Sequence, residues 1–381
     1  MDIKDNLVGL YIKQFIIPRA LIFDKPGFVS FRISGKTNVY ARQVLMPEDF
    51  FVKLEKRIVD VYGDEGKIGL YSAGKKFGYS FAQLGRFENI NDHPGESIRD
   101  WIVIAGKFIE GTYASELRPD IDIAKKIVDS RLRNFVICRK LGYDFFFATG
   151  GAAGVIAWIF QDKDIEGYYY DSRLTGEEHT CRVLCAPYEI IERRSGKNIF
   201  RENGLSDLNQ DLAFYNKFNE VTEFENGKSF SEYIDAKIFS YERGIIKLRP
   251  NNERFFLMET SGMYILETEL KKRGMSAEIF DVAYTVGEEL FGGFSYDVKA
   301  SSDLMMAFGW GEIILLPNAK NTMRVIINHF PCTKWYKDID FLIIRGLLSG
   351  IFSRIYNRVI KFDKPEIDMH NSYLSLVFNE S

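Results

Sequence analysis

An internal repeat is the feature that most constrains the fold of this 381-residue sequence, because three blocks recur in the same order in its two halves. The first block is a short apolar run that follows a Gly and ends at an Arg, in residues 26–32 and again in residues 243–249. Short runs of aromatic and β-branched residues bounded by Gly and Pro are typical of strands. Each copy is therefore expected to begin with a strand.

The second block is a pair of helices. Apolar residues at helical spacing occupy residues 50–61 and stop at Gly63, and a similar run in residues 263–270 stops at Gly274. Such spacing indicates an amphipathic helix, and Gly is a common residue just past a helix end.

A second helix follows in each copy, because residues 71–78 match residues 284–292 with one residue inserted. This match pairs Gly74 with Gly287.

The third block is a glycine-spaced helix. Gly150 and Gly154 match Gly346 and Gly350, and a closing strand follows each pair. A helix N-terminus after a glycine-rich turn can bind phosphate. Neither copy has the Lys-Ser/Thr of a P-loop or the glycine spacing of a dinucleotide fold, so we expect these glycines to let the helix pack closely against a neighbour.

The repeat predicts the domain organisation. We expect one domain in residues 1–188, a second in residues 239–381, and a polar connector in residues 189–238 that contains one helix, residues 208–221. The first copy has extra sequence within residues 89–118. The alternation of strands and helices indicates an α/β fold of the α+β type, with an antiparallel sheet and helices packed on it.

The composition excludes several classes of protein. The chain is 46% hydrophobic and 27% charged, with a formal net charge of −3, so it has no basic field that would attract nucleic acid. We identify no secretory signal and no apolar segment long enough to span a bilayer. Four cysteines in a chain of this length do not form a disulfide framework, so we expect a cytoplasmic protein with reduced thiols.

The order of these elements resembles the 4-vinyl reductase domain family. Residues 149–154 resemble the glycine-rich helix start of that family, residues 176–183 its closing strand, and residues 308–313 the glycine-flanked strand before the second helix. The resemblance covers both halves and implies two tandem domains of this type, in which the two copies form an intramolecular pseudo-dimer, with a homodimer also possible. It also implies a sensory or ligand-binding role, because the family includes sensor domains of aromatic-responsive activators.

The family resemblance raises the question of a metal site. Many members of the family bind zinc through cysteines near the glycine-rich helix and the closing strand. Here the candidate ligands are Cys138, His179, Cys181 and Cys185, whereas residues 145–147 are all Phe. The second copy has Met369-His370-Asn371-Ser372 at the corresponding place and no cysteine there. Their spacing fits no known zinc motif, so we expect no metal, with zinc as the alternative.

A dense aromatic group in the first copy is the candidate ligand-binding site. Its residues are Phe146, Phe147, Trp158, Tyr168, Tyr169 and Tyr170. Such a group can line an apolar pocket for a small hydrophobic molecule, or it can be packed core and domain interface.

The sequence is compatible with three functions. The first is binding of a small hydrophobic molecule, with the signal passed to a partner protein. The second is a scaffold or assembly subunit that acts through a protein–protein surface without a ligand. The third is an enzyme, which we disfavour because the scattered histidines, at residues 93, 179, 329 and 370, form no recognisable acid–base pair.

Overall fold

The computed structural model describes most of the chain. The described residues are 21–32, 40–141, 145–175, 178–195, 200–202, 204–205, 227–242, 245–249, 251–290, 297–318, 322–331, 339–368 and 373–379. The predicted connector helix in residues 208–221 lies outside them, as do residues 369–372. The expected α+β class is confirmed, because antiparallel sheets and helices make up the fold.

The chain divides into two compact units. The first consists mainly of residues 58–210, and the second combines residues 21–57, 211–241 and 246–381. The boundary at residues 57 and 58 falls inside a helical run, α1 (Glu48–Leu84), which Gly63 interrupts with φ of 58°. This interruption confirms the predicted helix end. The units are defined by packing and the predicted domains by the repeat, so the boundaries at residues 188 and 239 stay predictions.

In the first unit, one helix-covered sheet follows the second part of α1. Its elements are α2 (Ile98–Tyr113), β4 (Glu116–Asp122), β5 (Ile127–Arg133), α3 (Cys138–Leu141), α4 (Phe146–Phe160), β6 (Ile165–Thr175), β7 (Glu178–Pro187) and α5 (Tyr188–Ser195). The four strands form an antiparallel sheet in the order β4-β5-β7-β6. Apolar side chains of α2 and α4 pack on this sheet, and Ile102, Ile156 and Phe160 are at most 8% exposed.

The second unit has two sheets. Its elements are β1 (Leu21–Lys25), β2 (Phe28–Arg32), β3 (Tyr40–Pro47), the first part of α1, α6 (Phe230–Asp235), β8 (Phe239–Glu242), β9 (Ile245–Leu248), β10 (Glu253–Glu259), α7 (Thr260–Lys272), α8 (Ala277–Glu289), α9 (Val298–Ala307), β11 (Glu312–Asn318), β12 (Thr322–Asn328), α10 (Leu342–Tyr356), β13 (Glu366–Asp368) and β14 (Tyr373–Asn379). The four-stranded sheet has the order β11-β12-β14-β13, which is the connectivity of the sheet in the first unit.

A six-stranded sheet in the second unit has the order β1-β2-β3-β10-β9-β8. Strands β3 and β10 pair antiparallel at its centre, with Leu45 opposite Leu257 and Val44 opposite Met258. Three strands from residues 21–47 therefore meet three strands from residues 239–259 in mirrored order.

The spaced glycines pack helix against helix in both units, as expected. A Cβ on Gly154 would lie 2.1 Å from the Lys75 carbonyl oxygen, and a Cβ on Gly350 would lie 2.0 Å from that of Tyr284. Glycine is required here because any side chain would push the two helix backbones apart.

These contacts correct one match in the repeat. Gly78 packs on the carbonyl of Gly151, and Gly287 packs on the carbonyl of Leu347, which holds the position equivalent to Gly151. The structural partner of Gly287 is therefore Gly78, one helical turn beyond the Gly74 that the sequence match selects. The sequence match of Gly287 with Gly74 was wrong. Gly74 also lies on the packed helix face, and the residue types around it happen to resemble those around Gly287. Among the described residues, no helix is long and apolar enough to cross a membrane.

Candidate functional site

A pocket in the second unit lies between α7, the start of α10 and the chain before and after the β11–β12 hairpin. Its lining residues are Met263, Tyr264, Glu267, Trp310, Phe330, Pro331, Ile339, Phe341, Ile343 and Ile344. The space between them, including the part open to solvent, is about 290 Å³. The free space among these side chains holds little more than a water-sized molecule, so a larger ligand requires a side chain of the wall to move.

Trp310 forms the aromatic wall of this pocket because two glycines turn the chain around it. Gly309 and Gly311 have φ of 92° and 101°, a backbone conformation that side chains disfavour. The indole is 1% exposed and stacks on Phe330 with ring centroids 6.1 Å apart. Phe330 in turn meets Phe341 edge-on at 5.6 Å.

Two of the lining residues, Glu267 and Trp310, carry buried polar groups. The carboxylate of Glu267 accepts hydrogen bonds from the backbone N–H of Asp340 at 2.5 Å and of Leu342 at 3.0 Å, so it caps the N-terminus of α10. Burial raises the pKa of Glu267 to about 7. The Nε1–H of Trp310 is buried and has no acceptor among the described residues. A pocket of this kind can take a small ring that offers an acceptor to the indole.

Left-handed backbone conformations at non-glycine residues occur beside this pocket and at nine other described positions, among them Ile137. Phe341 and His329 both have left-handed φ, of 54° and 53°, although neither is glycine. Such residues cost on the order of 1–3 kcal/mol each and often lie at ligand sites.

The predicted aromatic site of the first copy does not gather in one place. The ring contacts are Phe146 with Phe200 (5.7 Å), Phe147 with Phe77 (5.8 Å) and Trp158 with Tyr79 (5.5 Å). Phe146 and Phe147 are each 7% exposed, and the Trp158 indole N–H donates to the Phe87 carbonyl at 2.9 Å. These side chains pack against different neighbours.

The three tyrosines of β6 divide between the two faces of the sheet, as alternation along a strand requires. Tyr168 and Tyr170 stack on each other at 5.8 Å beside the apolar residues of α5. Tyr169 faces the other way, and burial next to Cys138 and Cys181 raises its pKa.

The cysteines form a thiol pair and a separate buried thiol. Cys181 Sγ lies 4.0 Å from Cys138 Sγ, and the hydrogen bond between the two thiols lowers the pKa of Cys181. Burial raises the pKa of Cys185 to about 12. The Nε2 atom of His179 lies 2.8 Å from the Ser172 hydroxyl. Within the described residues no three His, Cys, Asp or Glu side chains converge as metal ligands.

A buried charged network in the first unit is the feature that the sequence reasoning missed. Lys75 Nζ lies 2.7 Å from Glu166 Oε1, and both side chains are 0% exposed. The Tyr71 hydroxyl donates to Glu166 Oε2 at 2.6 Å and accepts from the Gly167 N–H at 2.7 Å. Burial lowers the pKa of Lys75 and raises the pKa of Glu166, while their mutual attraction opposes both shifts. One signal was present: residues 71, 74, 75 and 78 share one face of a helix, and its glycines mark that face as packed.

Comparisons with known proteins found a weak structural likeness. No family model matches the sequence, and no curated protein sequence matches it. A solved structure described as the phenol-responsive sensory domain of the transcription activator PoxR with phenol is similar over 51% of this chain and 96% of that chain, with 19% identity and a TM-score of 0.33. A likeness at this level assigns neither a fold family nor a function.

Proposed function

We propose that this protein binds a small apolar molecule in the pocket around Trp310 and passes the signal to a partner protein. The observation that carries the proposal is the buried Trp310 N–H without an acceptor among the described residues, set in a wall of aromatic rings. An unmade hydrogen bond in an apolar site is unfavourable by about 1–3 kcal/mol, so a ligand that supplies an acceptor gains that energy on binding. The site lies in the second copy, whereas the sequence favoured the first.

We also infer that both halves are of the 4-vinyl reductase type and form a pseudo-dimer within one chain. The shared strand order of the two four-stranded sheets supports the duplication, as does the close glycine packing of α4 and α10. The mirrored order of the six-stranded sheet supports the pseudo-dimer, because a two-fold arrangement brings the same element of each copy to the centre.

The scaffold function has less support. The large apolar side chains exposed in the described part of the chain are Val61, Leu174, Leu316, Tyr356 and Val359. They come from several elements, and apolar residues scattered singly on a surface do not indicate a docking patch.

Calorimetric titration with phenol tests the proposal, because phenol is a small probe that combines a ring with an acceptor oxygen. We expect the wild-type chain to bind it with a Kd below about 1 mM. Trp310→Phe keeps an aromatic ring and removes the N–H donor, so it should weaken binding by at least about fivefold. Trp158→Phe is the matched control, since that indole already donates to Phe87 and lies in the other unit.

Benzene separates ring recognition from hydrogen bonding. We expect benzene to bind wild type and Trp310→Phe equally, because it offers no acceptor oxygen. No saturable binding of either probe, or phenol binding that Trp310→Phe leaves unchanged, contradicts the proposal. Native mass spectrometry of the purified chain provides a second readout: added mass that disappears on denaturation identifies a molecule already bound.

A further inference from the structure

A short extended segment lies directly over the buried Lys75–Glu166 pair of the first unit. Its described residues are Phe200, Arg201, Glu202, Gly204 and Leu205, and we refer to it as the 200–205 segment. Lys75 Nζ donates to the Glu202 carbonyl oxygen at 3.0 Å, and the Glu202 N–H donates to Glu166 Oε1 at 3.0 Å. The two buried charges thus hold both main-chain groups of one residue, a mode of contact that does not depend on that residue's side chain.

Two apolar anchors flank this main-chain contact. The Phe200 ring packs on Tyr71 at 5.6 Å and on Phe146 at 5.7 Å. Leu205 is 7% exposed and belongs to the apolar core that includes Ile156 and Phe160. An aromatic anchor, a bonded main chain and an aliphatic anchor are the usual elements by which a protein binds an extended peptide.

The rim contacts of the segment are weak. Arg201 pairs with Asp164 at 2.6 Å, but the two side chains are 50% and 39% exposed. Exposed ion pairs of this kind contribute about 0–1 kcal/mol. Two half-buried contacts add to the anchors and the buried pair: Lys163 Nζ donates to the Leu205 carbonyl oxygen at 3.2 Å, and Lys76 Nζ lies 3.9 Å from the Glu202 carboxylate.

The equivalent helix pairing in the second unit is made without the Tyr71 and Lys75 side chains. The helix packing contacts make Phe280 and Tyr284 the equivalents of Tyr71 and Lys75, because Gly346 and Gly350 pack on their backbone as Gly150 and Gly154 pack in the first unit. In the second unit the side chains of Phe280 and Tyr284 are half-buried and stack on each other at 6.4 Å. A buried ion pair is often no more stable than apolar residues of the same volume. Among the described residues, the position of Lys75 is taken in the second unit by Tyr284, so this helix pairing forms there without a lysine.

We propose that the groove over Lys75 and Glu166 is a binding site for an extended peptide of a partner protein, and that the 200–205 segment is the chain's own exchangeable occupant. The fitting partner carries an aromatic residue followed five residues later by Leu or a similar aliphatic residue. The residue two after the aromatic is held by its main chain, and an acidic side chain there would also lie near Lys76, as that of Glu202 does at 3.9 Å. This site is independent of the pocket around Trp310, which lies in the other unit.

A competing peptide must displace the 200–205 segment, which is tethered to the groove because it belongs to the same chain. A segment of the same chain has an effective concentration in the millimolar range or above, so a free peptide binds the wild-type protein only weakly. Removal of the two anchors should release the segment and leave the groove open.

Fluorescence anisotropy with a labelled synthetic peptide of residues 199–206 tests the exchange on the full-length chain. The double variant Phe200→Ala/Leu205→Ala should bind this peptide at least about tenfold more tightly than wild type. Arg201→Ala is the matched control in the same segment, and it should behave as wild type because its side chain lies on the exposed rim. A peptide in which the Phe is replaced by Ala should lose most of the binding.

A third variant tests the role of the charges. Adding Lys75→Met/Glu166→Leu to the anchor variant removes both charges together and should abolish peptide binding. The proposal is overturned if the folded anchor variant does not bind the peptide, or if it binds equally well without the two charges.

If the variants do not fold, hydrogen exchange of the wild-type protein still tests whether the 200–205 segment opens. We expect the amide of Glu202 to exchange through local opening, well before the central amides of α4. Exchange of Glu202 as slow as that of α4 would mean that the segment is a fixed part of the core, and the proposal would then be wrong.

Discussion

The ammonium group of Lys75 and the carboxylate of Glu166 lie 2.7 Å apart with neither side chain exposed to solvent. The Tyr71 hydroxyl, the main chain of Glu202 and the Lys163 carbonyl oxygen complete their hydrogen bonding. The pair is thus fully satisfied, and removal of either member leaves a buried charge without its partner.

Lys75→Met should destabilise the first unit by about 3–5 kcal/mol, because Glu166 would remain buried without its cation. Lys75→Met/Glu166→Leu removes both charges and should be much closer to wild type in stability. Urea unfolding, with hydrogen exchange of α4 to identify the transition of the first unit, measures both. A double variant as unstable as the single one would show that the pair stabilises the fold itself.

Gly154→Ala and Gly350→Ala should each destabilise their own unit by at least about 2 kcal/mol, because the new methyl group would collide with a helix carbonyl at 2.1 Å and 2.0 Å. The matched control is Gly151→Ala on the same helix as Gly154. Its methyl group would meet nothing closer than the Gly74 carbonyl oxygen at 3.8 Å. Since Ala is the better helix former, this variant should be as stable as wild type or gain up to about 1 kcal/mol. Thermal unfolding distinguishes these variants. Equal losses of stability in Gly151→Ala and Gly154→Ala would contradict the close helix packing at Gly154.

The stability of the second unit should fall as the pH rises from 4.5 to 7, because burial raises the pKa of Glu267 from 4.5 to about 7. In this window the unfolded chain releases the Glu267 proton while the folded chain keeps it, so the contribution is complete only below pH 4.5. The loss is on the order of 3 kcal/mol. Glu267→Gln should flatten this part of the profile measured by urea unfolding. Parallel profiles of wild type and variant would rule out Glu267 as the titrating group.

Cys181 should react with methyl methanethiosulfonate before Cys185 in the folded protein near pH 7. The thiols are equally buried, but the hydrogen bond between Cys181 and Cys138 lowers the pKa of Cys181, whereas burial beside Asp129 and Glu166 raises the pKa of Cys185 to about 12. The thiolate is the reactive form, so the order of labelling follows acidity. Peptide mass spectrometry reads the order, and labelling in urea provides the control, since both thiols should then react alike.

The sequence predicted features that depend on neighbouring residues along the chain. The helix end at Gly63 and the close packing at Gly150 and Gly154 followed from spacing and from the properties of glycine. These are local signals, and the structure confirms them.

The two candidate sites could not be predicted in the same way. Trp310, Phe330 and Glu267 are far apart in sequence, and only the folded second unit brings them to one pocket. The aromatic residues near Phe146 form a dense group in sequence but point in several directions, because a helix and a strand distribute their side chains over different faces.

Lys75 was overlooked for a different reason. A lysine beside another lysine in a helix usually lies on the solvated face, and only its partner Glu166, on a strand 91 positions later, makes burial favourable. The position of Lys75 on the glycine-marked helix face indicated that its side chain is buried, whereas its charge indicated that it is exposed.

The central pairing of β3 with β10 also determines when this protein can finish folding. During synthesis, residues 40–47 leave the ribosome long before their partner strand, residues 253–259. Until then β3 is an unpaired edge strand. Its side chains that are buried in the folded protein, among them Val44 and Met46, remain uncovered because half of the sheet is missing. Sheets closed by such distant segments form slowly, so the nascent chain passes through an aggregation-prone stage that ends only after about two thirds of it has been made.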